Sequence, residues 1–305
     1  MIHLEFQNIK TLRQMHYGAV LDYVTQRMKA NDVAQIYDNI RKLPLPTACP
    51  KTRNKSDFTW LKEFILADTH SLKNFVTNYS NFLKFDQFRR LYNNRFSKSP
   101  SVFVDRAETY NSYTLFNSMG IKVCPYCEHE YIEVLNRGES KSRSMEFDHF
   151  YPKGDEHYPG LAMCFYNLIP SCRNCNHTKM EQPLTANPYD PAIESLTSVY
   201  PDIMDKKGII YSTVSDDDCA ISFHAKGGMV TNESTLCLEQ RYQTLRPEVH
   251  RLLMARQRWP HERLDELKRM GFVIQPIIKS LFGNPSNVSK GKELHTKMKK
   301  DTIGY

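Results

Sequence analysis

Apolar residues recur at three-, four- and five-residue intervals near the start of the chain, at Leu12, Met15, Val20, Tyr23, Val24 and Met28, with few breakers between them. That spacing predicts helix over residues 1 to about 40. The proline-rich stretch 42–51 cannot be a helix interior, because each proline removes a backbone donor and pushes its predecessor toward an extended conformation. It reads as a connection. A second helical block follows over about 59–96, where Phe82, Phe85, Phe88, Leu91 and Tyr92 share a face. Arg89, Arg90 and Arg95 interleave with these rings, as the cationic edges of a base-stacking surface would. Aromatic positions at helical spacing read first as buried core, with the charges on the opposite face.

The pattern changes over 116–190, where short β-like runs, glycines, prolines and cysteines replace helical periodicity. Residues 131–135 and 145–150 read as strands, 136–140 as a turn, and a short helix after Cys175 is stopped by Pro183. Beyond 190 the runs 208–214 and 220–225 flank Asp216, Asp217 and Asp218 as a candidate hairpin. A long helical stretch then starts near Asn232 or Ser234 and carries Leu236, Leu238, Tyr242, Leu245 and Val249, with Pro247 breaking or kinking it. The expected fold class is α+β: a mainly helical chain with a helical N-terminal region (1–115), a small central module (116–190) and a C-terminal region of hairpin and helices (191–305).

Composition narrows the class. With 305 residues and 40% hydrophobic content the chain can build a real core. No run approaches the ~18 apolar residues of a membrane span, and the first residues lack a charged segment followed by an apolar one. No membrane association and a cytoplasmic location are therefore expected. The net charge of +7 permits nucleic-acid binding without diagnosing it. Arg89, Arg90, Arg95 and Lys98 form one basic cluster, and Lys290, Lys292, Lys297, Lys299 and Lys300 a basic tail. Either could follow a phosphate backbone, although a solvated helix face and a frayed terminus are the simpler readings.

The cysteines change the picture most. Of eight, four fall in two CxxC pairs, Cys124/Cys127 and Cys172/Cys175, while Cys49, Cys164, Cys219 and Cys237 stand alone and read as small core residues. Two CxxC turns can present four thiolates to one ion, so a structural Zn2+ site is expected in a reducing compartment.

Between the pairs lie the parts that phosphodiester hydrolysis needs: a base to activate water, and hard oxygen ligands for a divalent ion. Asp148 and His149 offer a carboxylate and an imidazole on adjacent strand positions, which point to opposite sides, so a twist or bulge is expected to bring them together. Glu146 faces the same way as Asp148. Asn167 suits a loop-fixing role, and the amide oxygen of Asn176 could complete a magnesium site with Asp148. His177 and Lys179 follow closely.

In their order, Cys-x-x-Cys, Asp-His, Asn-Leu, Cys-x-x-Cys-Asn and a nearby Lys, these residues resemble the zinc-stabilised form of the HNH nuclease family. The resemblance covers about 60 residues. It implies a ββα-metal core, with His149 as general base, Asp148 as a ligand of a catalytic Mg2+ or Mn2+, and Asn167 bracing the loop. The third signature position falls on Asn176 or on His177, where the family often has histidine; the register after the CxxC favours Asn176. Residues 167–172, 176–179 and Asn187-Pro188-Tyr189-Asp190 are similar to HNH subunits of Septu-type and retron-associated anti-phage systems, which work beside an ABC-type ATPase. The resemblance implies a DNA endonuclease in antiviral defence; RNA is also a compatible substrate, because an external water needs no 2′-hydroxyl. The competing reading is a zinc-ribbon module that binds nucleic acid or a protein without cutting. It accounts for the cysteines and the charge, but not for the order of Asp148, His149, Asn167 and Asn176.

Overall fold

A computed structural model describes residues 1–45, 57–98, 110–137, 140–154, 156–203, 214–283 and 291–303. Most of the proline-rich connection, Cys49, the tip of the 136–140 turn, most of the 208–214 run and Lys290 lie outside the described residues. By its contacts the chain forms two compact units.

One unit comprises Glu5–Ile121 and Ile132–Tyr189. Its helices α1 (Ile9–Gln26) and α2 (Ala30–Ile40) follow the expected periodicity, but helix does not reach the start of the chain. Residues 2–6 alternate buried and more exposed positions, with Ile2, Leu4 and Phe6 inside and His3 and Glu5 further out, a period of two rather than a helical one. The block 59–96 is also divided: α3 (Thr59–Ile65), α4 (Thr69–Asn78), a 3-10 turn (Ser80–Leu83), α5 (Gln87–Leu91) and a single π-helical turn (Tyr92–Phe96). Asp68 starts α4 by accepting the Ser71 N–H at 2.8 Å.

The aromatic stripe is core. Phe64 lies 6.1 Å from each of Phe75, Phe85 and Phe88, and Phe85 lies 5.5 Å from Phe88. Phe82 is the exception, half-buried beneath the Lys42 ammonium. Helix α6 (Ser112–Met119) begins at an Asn111 capping box and ends at Gly120, whose φ of 66° places it in the left-handed region that glycine enters at little cost.

Two small sheets complete this unit. β1 (Val134–Arg137) pairs with β2 (Ser140–Arg143), so the strand expected over 131–135 starts later. β3 (Met145–His149) pairs antiparallel with β4 (Leu168–Cys172), with His149 opposite Leu168 and Met145 opposite Cys172, and α7 (Arg173–Lys179) follows β4 directly.

The other unit comprises Met1–Leu4, Lys122–Tyr131 and Asp190–Tyr305. Its sheet joins β5 (Thr197–Ile203) to β6 (Cys219–Ala225), so the described partner of 220–225 is β5. The helical stretch after it starts earlier than expected. α8 (Met229–Leu236) ends at Cys237 in the left-handed region (φ 51°), α9 (Leu238–Tyr242) and a 3-10 turn follow, and Pro247 lies in the first turn of α10 (Arg246–Arg258). Proline there starts a helix instead of kinking one, since the first-turn N–H groups have no partner within the helix. Helices α11 (His261–Arg269), α12 (Ile274–Phe282) and α13 (Thr296–Ile303) complete it. Among the described residues no helix is long and apolar enough to cross a membrane.

Candidate active site and metal centre

The sulfur atoms of Cys124, Cys127, Cys172 and Cys175 lie within 4.8 Å of one another, and all four residues are buried. None of the four is in a disulfide. Zinc–sulfur bonds of about 2.3 Å in a tetrahedron separate the sulfurs by roughly 3.8 Å, so the cluster is close to the size one Zn2+ requires. Each turn is shaped as a knuckle. The Cys175 N–H points at the Cys172 sulfur at 3.3 Å and the His129 N–H at the Cys127 sulfur at 3.4 Å, while Glu128 takes a positive φ of 54° just after Cys127. N–H groups directed at sulfur stabilise thiolates, which is the form that binds metal. Four buried, convergent thiols fit a structural zinc ion.

The β3–β4 hairpin and α7 form a ββα unit, and the two faces of β3 carry different chemistry. One face meets α7. The Asn176 side-chain amide donates to Glu146 Oε2 at 2.5 Å, and His177 Nε2 lies 3.7 Å from the same oxygen. Lys179 is fully buried and donates to Asp148 Oδ1 at 3.0 Å and to the His149 carbonyl at 2.8 Å. The other face meets the helices: Phe96 packs on Phe147, and the edge of one ring meets the face of the other where Tyr92 meets His149, centroids 4.4 Å apart. The Tyr92 hydroxyl donates to the Phe147 carbonyl at 3.2 Å.

Adjacent strand positions therefore project to opposite sides, and the regular β3–β4 register contains no bulge to bring Asp148 and His149 together. His149 is buried, with Nε2 3.1 Å from the Ala162 carbonyl. A carbonyl can only accept, so the proton sits on Nε2 and Nδ1 keeps its lone pair. Burial, assisted by the Lys153 ammonium, holds the imidazole well below its ordinary pKa and so neutral. Burial also lowers the Lys153 pKa, with Arg89 adding to the effect.

Asn167 is buried and wholly engaged with backbone. Its Oδ1 accepts the Tyr151 N–H at 2.7 Å, and its amide donates to the carbonyls of Tyr151 and Leu161, both at 3.1 Å. It thereby ties the end of β3 to the 3-10 turn Pro159–Met163. Asn176 and His177 both meet Glu146, and Asp148 meets Lys179. Among the described residues, no group of three or more His, Cys, Asp or Glu ligands gathers in this way besides the four cysteines.

Lys179, the lysine near the signature, is sealed inside rather than presented to a phosphate. His157 is half-buried, 3.9 Å from Glu181, and Cys164 is a core thiol. Sequence reading missed Tyr92 and Ala162 as the partners of His149. Tyr92 looked like one more member of an aromatic stripe, and a backbone carbonyl leaves no trace in residue type.

No protein-family model matches the chain, and no solved structure matches it. Over 89 residues it is 32% identical to the Septu protein PtuB of Bacillus thuringiensis, a stretch amounting to 27% of this chain and 34% of that protein. The chain thus spans about a third of the length of this curated relative.

Proposed function

We propose that the chain is a metal-dependent endonuclease of the HNH type, hydrolysing phosphodiester bonds of DNA as part of an anti-phage defence system. One observation carries the reading: a ββα unit whose β3 ends in a buried, neutral His149, next to Asp148 in the chain but on the opposite face of the strand, with Asn167 bracing the loop and Asn176 on the following helix. Partial similarity to the Septu protein PtuB supports the defence setting; the ABC-type ATPase partner is carried by the HNH-subunit resemblance of residues 167–172 and 176–179 alone.

In this reading His149 Nδ1 takes the proton of the attacking water, while the Ala162 carbonyl fixes the tautomer and Tyr92 fixes the ring plane. Asn167 keeps the 150–167 loop, and so the Ala162 carbonyl, in place. Asp148 with Asn176 or His177 would hold a Mg2+ or Mn2+, which when bound supplies positive charge to the scissile phosphate and leaving oxygen. Glu146 orients the α7 donors, and Lys179 neutralises Asp148 while no ion is present.

The test is cleavage of supercoiled plasmid with and without Mg2+ or Mn2+, alongside His149→Ala. A general base contributes about 10²–10⁴-fold, so this variant should lose cutting while keeping its fold and its nucleic-acid affinity. Undiminished cutting by His149→Ala would place the base elsewhere. The Asp148–Lys179 pair favours a second reading, a zinc-stabilised binding module, because a carboxylate already matched by a buried ammonium needs no metal. Plasmid binding without cleavage at any metal concentration, alone or with an ATPase partner, would support it.

A further inference from the structure

Met270, Phe272 and Val273 stand in water together, 67%, 54% and 72% exposed, where α11 turns into α12. The other exposed large apolar side chains, Tyr131, Leu135, Met180, Tyr200 and Val230, are scattered along the chain, as on an ordinary surface. The apolar knob is firmly built. As α11 ends, the N–H groups of Met270, Gly271 and Phe272 donate to the carbonyls of Glu266, Lys268 and Leu267, each at 3.0 Å. Gly271 makes the turn with a φ of 90°, and the bond from Phe272 back to Leu267 closes a Schellman cap. Leu264 of α11 and Ile278 and Phe282 of α12 are buried, which anchors both helices.

The charges on α11 follow an order that suits one particular neighbour. Asp265 and Glu266 precede the half-buried Leu267, and Lys268 and Arg269 follow it. All four are exposed, and among the described residues none is in an ion pair; Arg269 reaches only the Asp265 carbonyl, at 3.5 Å. Laid antiparallel against a copy of itself, with the two-fold axis at Leu267, the helix sets each acidic pair against the other copy's basic pair. Parallel packing would set like charge against like. An acidic partner would leave Asp265 and Glu266 opposed, and a basic one Lys268 and Arg269, whereas a second copy matches both. The other end of α11 is apolar too: Trp259 is half-buried, with the Arg263 guanidinium 4.8 Å over its ring, and Pro260 is exposed. Nine residues of helix span about 13 Å, so the antiparallel arrangement brings the knob of one copy to the Trp259–Pro260 corner of the other.

We propose that α11 and the Met270–Val273 knob form a two-fold interface between two copies of this chain. Each copy uses the same patch, so the contact closes at a dimer and cannot grow into a filament. One helix and its end make a small interface, which places the affinity in the micromolar range. Pairing here goes beyond the nuclease reading and does not depend on it.

The experiment is sedimentation velocity of the full chain from about 1 to about 200 µM, a range that brackets a micromolar dissociation constant. A concentration-dependent passage from monomer to dimer is expected, with no larger species. Phe272→Asp puts a charge on the knob at an exposed position, so it should weaken the dimer about tenfold or more at an unchanged melting temperature. D265K/E266K and K268E/R269E should each lose self-association. Mixed in equal amounts, these two variants should form a heterodimer, and all four reversals in one chain should restore the homodimer, which damage to the fold could not do. A monomer at every concentration would overturn the proposal and leave the knob to a different protein. So would a dimer that keeps full strength in Phe272→Asp, or charge-reversed variants that fail to recover on mixing.

Discussion

Asn167 uses its acceptor and both amide hydrogens on backbone groups of Tyr151 and Leu161, inside the protein. Its removal strands one N–H and two carbonyls away from water. At about 1–3 kcal/mol for a buried group left unsatisfied, Asn167→Ala should destabilise the fold by about 3 kcal/mol, read by urea denaturation. Asn167→Asp should do no better, because it turns a donor facing two carbonyls into an acceptor. His16 makes a different kind of prediction. Its ring lies between the Tyr110 hydroxyl at 2.6 Å and the Met163 carbonyl at 2.7 Å, and burial, only partly opposed by that carbonyl, pushes its pKa down from 6.5 to about 4. The unfolded chain therefore takes up this proton as pH falls through 6.5, while the folded chain takes it up only near 4. Stability from this group is complete above the higher value and falls as pH drops between the two, by up to about 3 kcal/mol. His16→Gln should be less stable at pH 7 yet less sensitive to acid between pH 7 and 4. An acid dependence as steep as in the unchanged protein would show that His16 is not the group responsible.

At the scale of elements, the ββα unit is pinned by charge as well as by strand pairing. Lys179, the last residue of α7, is fully buried against Asp148 of β3 and against the His149 carbonyl. Deleting one partner of a buried pair costs about 3–5 kcal/mol, because it leaves the other charge uncompensated. Lys179→Met should therefore lower the unfolding free energy by that order. Lys179→Met with Asp148→Asn should recover part of the loss, and a double variant no more stable than the single one would mean that packing, not charge, sets the cost. β3 was legible because its signal, an apolar alternation, is local; the helix expected after Cys175 and up to Pro183 instead starts at Arg173 and ends at Lys179, where Met180 takes a positive φ of 50°. The orientation of Lys179 was not legible, since lysine beside a signature of ligands reads equally as a surface contact, and only the pairing of β3 with β4 brings Asp148 beneath α7. Opposite projection of Asp148 and His149 was implicit in strand alternation; the expected bulge is absent because each position of β3 has one partner in β4. The non-helical start of the chain and the break at Cys237 escaped the sequence for a related reason. Over so few residues, tertiary packing overrides a period that helix and strand can both approximate.

For the whole molecule, the sum of charges says less than their pairing. Arg89 lies 2.5 Å from Asp86, Arg90 reaches Asp32 at 3.5 Å and Asp86 at 3.4 Å, and Lys297 sits 2.6 Å from Asp301. Arg89, Arg90 and Lys297 are thus matched locally, so the two runs and the excess of +7 are not the same charge. The cysteines are the long-range constraint that the sequence did announce, because CxxC spacing fixes the geometry of each turn before the fold brings the turns together. Structural zinc in small metal domains supplies on the order of 10 kcal/mol of folding free energy, comparable with the whole stability of a domain. The purified protein should therefore contain one zinc per chain by elemental analysis, and its release by a strong chelator should coincide with loss of cooperative unfolding. Cys172→Ser should copy that state without chelator, whereas Cys164→Ser, outside the cluster, should retain the metal even if its core loses stability. Full stability in a metal-free Cys172→Ser protein would reduce the four cysteines to neighbouring thiols and remove the zinc from the fold.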